Sequence, residues 1–350
     1  MKAPKMKTIH KLLILALGVV LLILIHCDFS TDTEGWVEEK YPLRIMDVNG
    51  ENAKTLLEDG FGTATLHFVA NDEKILAIWL NSFSLIDIDS AADRQNYSLP
   101  IQRPGLAALS PDGSLLAITG AEGDNVSDLY IVGFDGSNFR NLTHSPDIAE
   151  SQPSFSADGK KIVLTTSAKT GDQSISYYDL EKDTLVQILN HPDDHATTSP
   201  EYYFWYPYFG PDDHTILFIA GESLYSLNIS TKIQTVLDPK AMYPLCISDD
   251  GRKLVYLKRG DPPAVAIMDA DGSGMLELDG DVSYSCEFHL SKDGRKILIY
   301  NRHYDEKMIY IVNSDGTGRK RLARGANASF SSDEARVVFS GYTAIVHKSE

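Results

Sequence analysis

The densest group of candidate metal ligands in this chain of 350 residues is the stretch HPDDH, in which His191 and His195 are four residues apart. Asp193 and Asp194 lie between them, and His214 follows nearby. Imidazole and carboxylate groups in one cluster could bind a transition metal. A spacing of four places two side chains on one face only in a helix, and the adjacent proline and the β-rich surroundings argue against a helix. The residues therefore favour solvated loop histidines, and we expect neither a metal site nor a cofactor.

Patterns for covalent catalysis are absent from the sequence or incomplete. It contains no Gly-x-Ser-x-Gly elbow, which a hydrolase of the α/β type needs for its nucleophile. Cys246 and Cys286 each precede the turn of a repeat, and small buried thiols are favoured over a nucleophile there. The stretch DADGSG from Asp269 is similar to a calcium loop, but its twelfth position is Gly280 rather than Glu, so it predicts a hairpin turn. We expect a protein that is not an enzyme.

The most unusual stretch is EYYFWYPYF, residues 201–209, in which seven of nine residues are aromatic although the chain as a whole is 9% aromatic. Tyrosine and tryptophan combine apolar area with a polar tip, and both are enriched at the centres of protein interfaces. The sequence therefore offers five candidate anchors for a partner: Tyr202, Tyr203, Phe204, Trp205 and Tyr206.

Composition limits the classes of partner. The net charge is −17, from 49 acidic and 32 basic residues. Binding to nucleic acid needs basic surface that displaces counterions from phosphate, so this charge argues against a nucleic-acid partner. The acidic residues are scattered through turns and indicate a solvated surface, while a hydrophobic share of 43% is enough for a real core.

The N-terminus predicts export and a membrane anchor. Four lysines precede an uncharged run of 14 residues, 12–25, which is typical of a signal-peptide core and short of the roughly 20 residues of a membrane span. The following LIHC resembles a bacterial lipobox with Cys27 as the lipidated residue, although His26 stands where the motif has Gly, Ala or Ser. An uncleaved signal anchor is the alternative. We expect a leader over 1–26, a linker over 27–42 and a folded domain over 43–348, held at a membrane of the bacterial cell envelope.

The elements that position these residues are internal repeats. The phrase LSPDGSLLAITG, residues 109–120, returns six times in recognisable form, at intervals of 38 to 54 residues. In each copy Asp and Gly predict a tight turn, and a β-prone strand follows. A second phrase downstream predicts another strand, turn and strand. Four short strands per repeat are typical of a β-propeller blade. The copies are anchored on Asp72, Asp112, Asp158, Asp212, Asp250, Asp293 and Asp333.

The two ends of the chain predict how the ring closes. Residues 43–57 match the second half of a repeat, and the copy from Phe330 supplies a first half. We therefore expect an all-β protein with a single propeller of seven four-stranded blades, the last blade shared by both ends of the chain. A six-bladed ring is the alternative. One strand is redundant, so either LRIMD, residues 43–47, or TAIVHK, residues 343–348, is expected outside the ring.

Phrases such as SPDG, SADG and SKDG, with IVNSDGTGRKRL from Ile311, resemble the repeats of TolB-like β-propellers over residues 43–348. The same repeats occur in the propellers of dipeptidyl and prolyl oligopeptidases, whose hydrolase domain this chain does not contain. The resemblance implies a non-catalytic scaffold of the cell envelope that binds a protein, or a glycan, through its loop face. The helical N-terminal domain of TolB is not matched. Oligogalacturonate lyases are similar seven-bladed propellers with a histidine-held metal, so a metal-dependent carbohydrate lyase using His191, His195 or His214 is the alternative.

The repeat also indicates which aromatic residues belong to the core. Aligning Asp212 with Asp158 superimposes Phe209 on Phe155, so residues 207–209 are predicted to be an inner strand. Residues 190–206 form the longest link between repeats, and loops on a rigid scaffold often carry function. Strand alternation predicts that Trp205 and Tyr203 share one face of this segment, with Phe204 and Tyr206 on the other. One pair is expected to pack, and the other to meet solvent or a partner.

Overall fold

A computed structural model describes residues 37–346, apart from 59, 61, 63, 80–81, 124, 192–203, 279–281 and 302–306. The regular elements of the described residues are all β-strands, which confirms the predicted all-β class. Within these residues no helix has the length and apolarity needed to cross a membrane. The main structural unit spans Glu39–Ile345. The first strands of the described chain are β1 (Val37–Lys40), β2 (Leu43–Asp47) and β3 (Lys54–Leu57).

Five antiparallel sheets follow, each built from four consecutive strands, as the repeat predicts. The first strand of each sheet is the innermost, and the fourth is the outer edge. The first sheet contains β4 (Thr65–Val69), β5 (Lys74–Trp79), β6 (Ser82–Asp87) and β7 (Arg94–Ser98). The next two contain β8 (Arg103–Leu109), β9 (Leu115–Ala121), β10 (Asp128–Gly133) and β11 (Arg140–Asn141), then β12 (Ile148–Phe155), β13 (Lys161–Ala168), β14 (Gln173–Asp179) and β15 (Thr184–His191). The last two contain β16 (Phe204–Phe209), β17 (Thr215–Ala220), β18 (Ser223–Asn228) and β19 (Gln234–Asp238), then β20 (Ala241–Ile247), β21 (Lys253–Lys258), β22 (Ala264–Asp269) and β23 (Leu276–Leu278).

Seven of the remaining strands form one sheet that joins the two ends of the chain. Its order is β24, β25, β26, β27, β28, β2 and β3. The long strand β27 pairs with β26 through its first part and with β28 through its second part, from Gly325 onward. Strand β28 then pairs with β2, so that Leu43 faces Ser340. Besides β2 and β3, its strands are β24 (Cys286–Leu290), β25 (Lys296–Asn301), β26 (Met308–Asn313), β27 (Lys320–Phe330) and β28 (Arg336–Gly341), and β29 (Thr343–Val346) follows β28 in the chain.

The pairing of β2 with β28 is the meeting of the two chain ends that the half-repeats predict. Strand β29 pairs with β1 in a separate two-stranded sheet. Of the two candidates for the redundant strand, LRIMD therefore lies in the seven-stranded sheet and TAIV lies outside it.

The Asp-Gly turns of the repeat are held by a buried serine as well as by the aspartate. In the second four-stranded sheet the Ser110 hydroxyl donates to Asp112 over 2.6 Å, and Asp112 accepts the backbone N–H of Ser114 over 3.0 Å. The backbone N–H of Leu115 donates to the Ser110 hydroxyl, and Gly113 supplies the positive φ of 71°. The same Ser–Asp pair recurs in four other turns: Ser156–Asp158, Ser248–Asp250, Ser291–Asp293 and Ser331–Asp333.

The core lies between neighbouring sheets rather than within one. One cluster, for example, packs Val163 and Ile175 of the third four-stranded sheet against Ile216 and Phe218 of the fourth. The inner strands end around a central cavity of about 470 Å³. This architecture is a single β-propeller with four-stranded blades.

Candidate functional site

The predicted anchors fall at the entrance to β16. Tyr202 and Tyr203 lie outside the described residues, whereas Phe204, Trp205 and Tyr206 open the strand. Phe204 is a packing residue, because its side chain is only 4% exposed and lies edge-on to Phe218 with ring centroids 5.4 Å apart.

Trp205 and Tyr206 behave differently from Phe204. Both are half-buried and pack towards the fifth four-stranded sheet. Their ring centroids lie 5.7 and 6.5 Å from that of Tyr243, near the start of β20. Tyr243 is 51% exposed, so the three rings present aromatic surface to solvent. We call Trp205, Tyr206 and Tyr243 the aromatic patch.

The alternation predicted for this segment is wrong at Tyr206. The pairing register of β16 shifts between Trp205 and Tyr208, and Tyr206 adopts a φ of 52°. A residue in this left-handed conformation forms a bulge that breaks the two-residue period of a strand. Tyr206 therefore joins Trp205 against the fifth sheet, while Phe204 packs between the third and fourth.

Two glutamines of the preceding sheet hold this irregular segment. The backbone N–H of Phe204 donates to the side-chain oxygen of Gln173 over 2.6 Å. The N–H of Tyr206 donates to that of Gln152 over 2.8 Å. Backbone groups freed by the bulge are thus satisfied, and the aromatic patch rests on a fixed backbone.

A second polar region lines the central cavity. On each inner strand one residue pairs with the second strand of its blade at an equivalent position. Most of these residues border the cavity. The pairing places seven residues at this level: His67, Ala108, Ser154, Tyr208, Cys246, His289 and Ser329.

The two cavity histidines are neutral at pH 7. Burial among surrounding side chains lowers the pKa of His289 to about 4. Burial, and then the charge of His289, lowers the pKa of His67 to about 3. The Ser329 hydroxyl lies 3.2 Å from Nε2 of His289. The pair therefore offers neutral hydrogen-bonding groups to the cavity.

The histidines singled out from the sequence are not gathered in the structure. His191 ends β15, the outer strand of the third four-stranded sheet, whereas His214 is exposed in the turn after β16, the inner strand of the fourth. His195 lies outside the described residues. Across the described ranges, no group of three or more His, Cys, Asp or Glu side chains is arranged to hold a metal.

The two cysteines within the described residues are free thiols on inner strands, as predicted. Cys286 is buried and Cys246 is partly buried. Burial raises the pKa of Cys246 to about 11 and that of Cys286 to about 12. Both side chains stay protonated at pH 7, and a protonated thiol is a poor nucleophile.

Comparison with solved structures identifies the fold. TolB from Acinetobacter baumannii aligns with a TM-score of 0.52 at 17% identity, over 83% of this chain and 66% of that chain. An oligogalacturonate lyase in complex with manganese aligns with a TM-score of 0.64 at 14% identity, over 88% of this chain and 98% of that chain. The fold is that of the TolB-like β-propellers.

Other comparisons set the limits of this likeness. The oligogalacturonate lyase from Vibrio parahaemolyticus aligns with a TM-score of 0.62 at 12% identity, over 88% of this chain and 98% of that chain. No protein-family model matches the sequence, and no curated protein sequence matches it. Because TolB-like propellers host binding proteins and enzymes alike, the fold alone does not decide the function.

Proposed function

We propose that this TolB-like propeller is a non-catalytic binding protein of the bacterial cell envelope, which recognises a protein partner through the face that carries the link of residues 190–206. The observation that carries the proposal is the aromatic patch. Trp205, Tyr206 and Tyr243 form a cluster that is half-exposed at the point where the longest link of the repeat ends.

The aromatic patch suits binding because it is held in place. The backbone N–H groups of Phe204 and Tyr206 donate to the side-chain oxygens of Gln173 and Gln152, and these hydrogen bonds hold the backbone of the segment. Rigid aromatic side chains lose little conformational entropy when a partner covers them, so more of the burial energy appears as affinity. A glycan is the alternative ligand for the same surface, since sugars also stack on aromatic rings.

Crosslinking in the native envelope tests the proposal. Cells carrying the wild-type chain or the Tyr243→Ala variant are crosslinked, and proteins recovered with each are compared. We expect at least one partner to be recovered with the wild type and lost with the variant, at equal expression and melting temperature. If the same partner proteins were recovered with both chains, the aromatic patch would no longer support the proposed binding function.

We also propose that Cys27 is lipidated and holds the propeller at a membrane. Cys27 lies outside the described residues. The proposal rests on the order of features before it, in which basic residues are followed by the apolar run and then by LIHC. A short linker would then keep the ring close to the membrane, where envelope partners are found.

The metal-dependent lyase is the second candidate, and His67 and His289 on the cavity wall are the observation that favours it. A manganese ion needs several ligands, usually with carboxylate oxygens among them. Around these two imidazoles, no third His, Cys, Asp or Glu of the described chain completes a metal-binding group. The residues do not fit the metal, so the lyase has less support than the binding protein. Metal analysis of the purified full-length chain is the check, and stoichiometric manganese would reverse this order.

We further infer a ring of seven blades. The strand β27 changes partner at Gly325, and a division there splits the seven-stranded sheet into two four-stranded blades that share this strand. These two would join the five separate sheets, with β2 and β3 as the outer strands of the closing blade.

A further inference from the structure

Glu150 carries a carboxyl group into the interior between the second and third four-stranded sheets. Its side chain is only 1% exposed, and neither carboxylate oxygen has a hydrogen-bond partner among the described residues. Glu150 pairs with Thr166 on β13 as Phe204 pairs with Ala220 on β17. An ionisable group thus occupies a position that a phenylalanine fills in the next sheet.

A second buried carboxylate lies close to the first. Asp128, at the start of β10, is 8% exposed. It accepts hydrogen bonds from the Asn141 amide over 2.7 Å and from the backbone N–H of Ser145 over 2.8 Å. The Thr143 hydroxyl lies 3.4 Å from the same carboxylate. The backbone N–H of Glu150 donates over 2.7 Å to the oxygen of Ser127, the residue before Asp128, so the two acids lie side by side, and Ser145 and Thr143 neighbour both of them.

The two carboxylates have no positive partner in the described part of the chain, where no ion pair includes either of them. Burial, reinforced by the charge of Asp128, raises the pKa of Glu150 to about 8, while the hydroxyls of Ser145 and Thr143 lower it. An ionised carboxylate is costly in such a place unless a cation compensates it.

We propose that Glu150 and Asp128 bind a calcium ion between the two sheets. The hydroxyls of Thr143 and Ser145 supply further oxygen ligands. A site of oxygen atoms alone, with mixed and irregular donors, suits Ca²⁺, which takes six to eight such ligands in flexible geometry. Mg²⁺ demands a near-ideal octahedron. The site contains only two carboxylates and no histidine, so it is not one of the groups of three or more His, Cys, Asp or Glu side chains that the described residues lack.

This site is separate from the central cavity, since none of its residues borders that cavity. Its ligands come from β10, β12 and the link between them. A bound ion would tie the second sheet to the third and stabilise the ring, because only the folded chain brings these groups together. The site does not depend on the proposed partner binding.

Calcium-dependent melting of the purified full-length chain tests the proposal. After treatment with EDTA the wild type is melted with and without added Ca²⁺, beside the variants Glu150→Gln and Asp128→Asn. Glutamine keeps the shape of Glu150 and removes its charge. We expect Ca²⁺ to raise the melting temperature of the wild type by a few degrees and both variants to lose the shift. Titration calorimetry should find one ion bound per wild-type chain.

Asp179→Asn is the matched control. Asp179 is 4% exposed, but its carboxylate already binds Lys182 over 2.7 Å, so this variant should keep the calcium response. A wild type that does not respond to Ca²⁺ would overturn the proposal, and Glu150 would then be held as a neutral acid. An unchanged response in Glu150→Gln, or an equal response to Mg²⁺, would equally contradict it.

Discussion

The carboxylate of Asp72 accepts three hydrogen bonds from Ser332, which lies 260 positions later in the chain. The backbone N–H of Ser332 donates over 2.9 and 3.0 Å, and its hydroxyl over 2.7 Å. Arg336 adds a hydrogen bond of 3.1 Å to the backbone oxygen of Asp72. In the other repeats the aspartate binds its own turn, whereas Asp72 joins the first four-stranded sheet to the sheet that contains both chain ends.

We predict that Asp72→Ala destabilises the fold by roughly 1–3 kcal/mol, because it removes a buried, charge-assisted acceptor. Denaturant unfolding of Asp72→Ala, Ser332→Ala and the double variant measures the coupling. A coupling energy above about 0.5 kcal/mol is expected for groups in contact. Asp112→Ala is the control, since Asp112 binds only within its own turn, and no coupling between Asp112 and Ser332 should appear. Additive effects of Asp72→Ala and Ser332→Ala would show that the contact does not stabilise the closure.

Removal of residues 43–57 should lower stability sharply. Strand β2 covers β28, and Leu43, with no exposed surface, packs into a core cluster shared with the first four-stranded sheet. Without it, β28 becomes an open edge and apolar side chains meet water. Thermal melting of the truncated and intact chains compares the two. A truncated chain that melts at the temperature of the intact one would contradict closure by strands from both ends.

Acid should weaken the fold through the two cavity histidines. Their folded-state pKa values, about 3 for His67 and about 4 for His289, lie below the ordinary 6.5. The unfolded chain therefore binds protons that the folded chain does not bind. The free energy of unfolding is highest above pH 6.5 and falls as the pH decreases towards 4 for His289 and towards 3 for His67. We expect His67→Gln and His289→Gln each to reduce this loss by roughly 1–2 kcal/mol.

Urea unfolding at pH 7 and pH 4.5 is the measurement for these histidine variants. His214→Gln serves as the control because His214 is exposed in a turn and should leave the loss unchanged. Wild type and cavity variants that lose the same stability between the two pH values would show that the histidines are not held neutral.

The turns and strands could be predicted because their causes are local. Gly113 needs its positive φ, and Asp112 binds the backbone two residues on, so a short phrase carries the whole turn. The meeting of β2 and β28 followed from half-repeats at the two ends. The buried Ser110 was open to the same reasoning, since serine recurs two residues before the aspartate in most copies.

The features that could not be predicted depend on distant partners. The bulge at Tyr206 is held by Gln152, 54 positions earlier, and no periodicity within β16 reveals it. His67 and His289 meet only because the ring brings the first and sixth inner strands to one cavity. Aligning the residue four positions before each repeat aspartate would have found His289, but His67 lies five positions before Asp72 and falls outside that alignment.

Lipidation is expected to depend on Cys27. A Cys27→Ser variant should lose both the lipid and leader processing, because the thiol is the attachment point and the lipid precedes cleavage in lipobox proteins. Mass spectrometry of the membrane-bound protein measures the modification, and Cys246→Ser is the control that should leave it intact. An unmodified Cys27 in the membrane-bound wild type would favour the uncleaved signal anchor instead.

Alanine substitutions should divide the aromatic segment into packing and binding residues. Phe204→Ala removes a buried ring between two sheets and should cost about 3–5 kcal/mol of stability, seen as a lower melting temperature. Tyr243→Ala removes a half-exposed ring, and we expect melting nearly unchanged with partner recovery reduced, since an interface anchor can be worth about 2 kcal/mol or more. Trp205→Ala and Tyr206→Ala should combine a smaller loss of stability with reduced recovery, because both rings are half-buried and both contact Tyr243.

Tyr284→Ala is the matched control, as Tyr284 is 52% exposed on another blade and takes no part in the aromatic patch. If every substitution in the patch lowered melting and none reduced recovery at equal stability, the patch would be structural and the binding face would lie elsewhere on the ring.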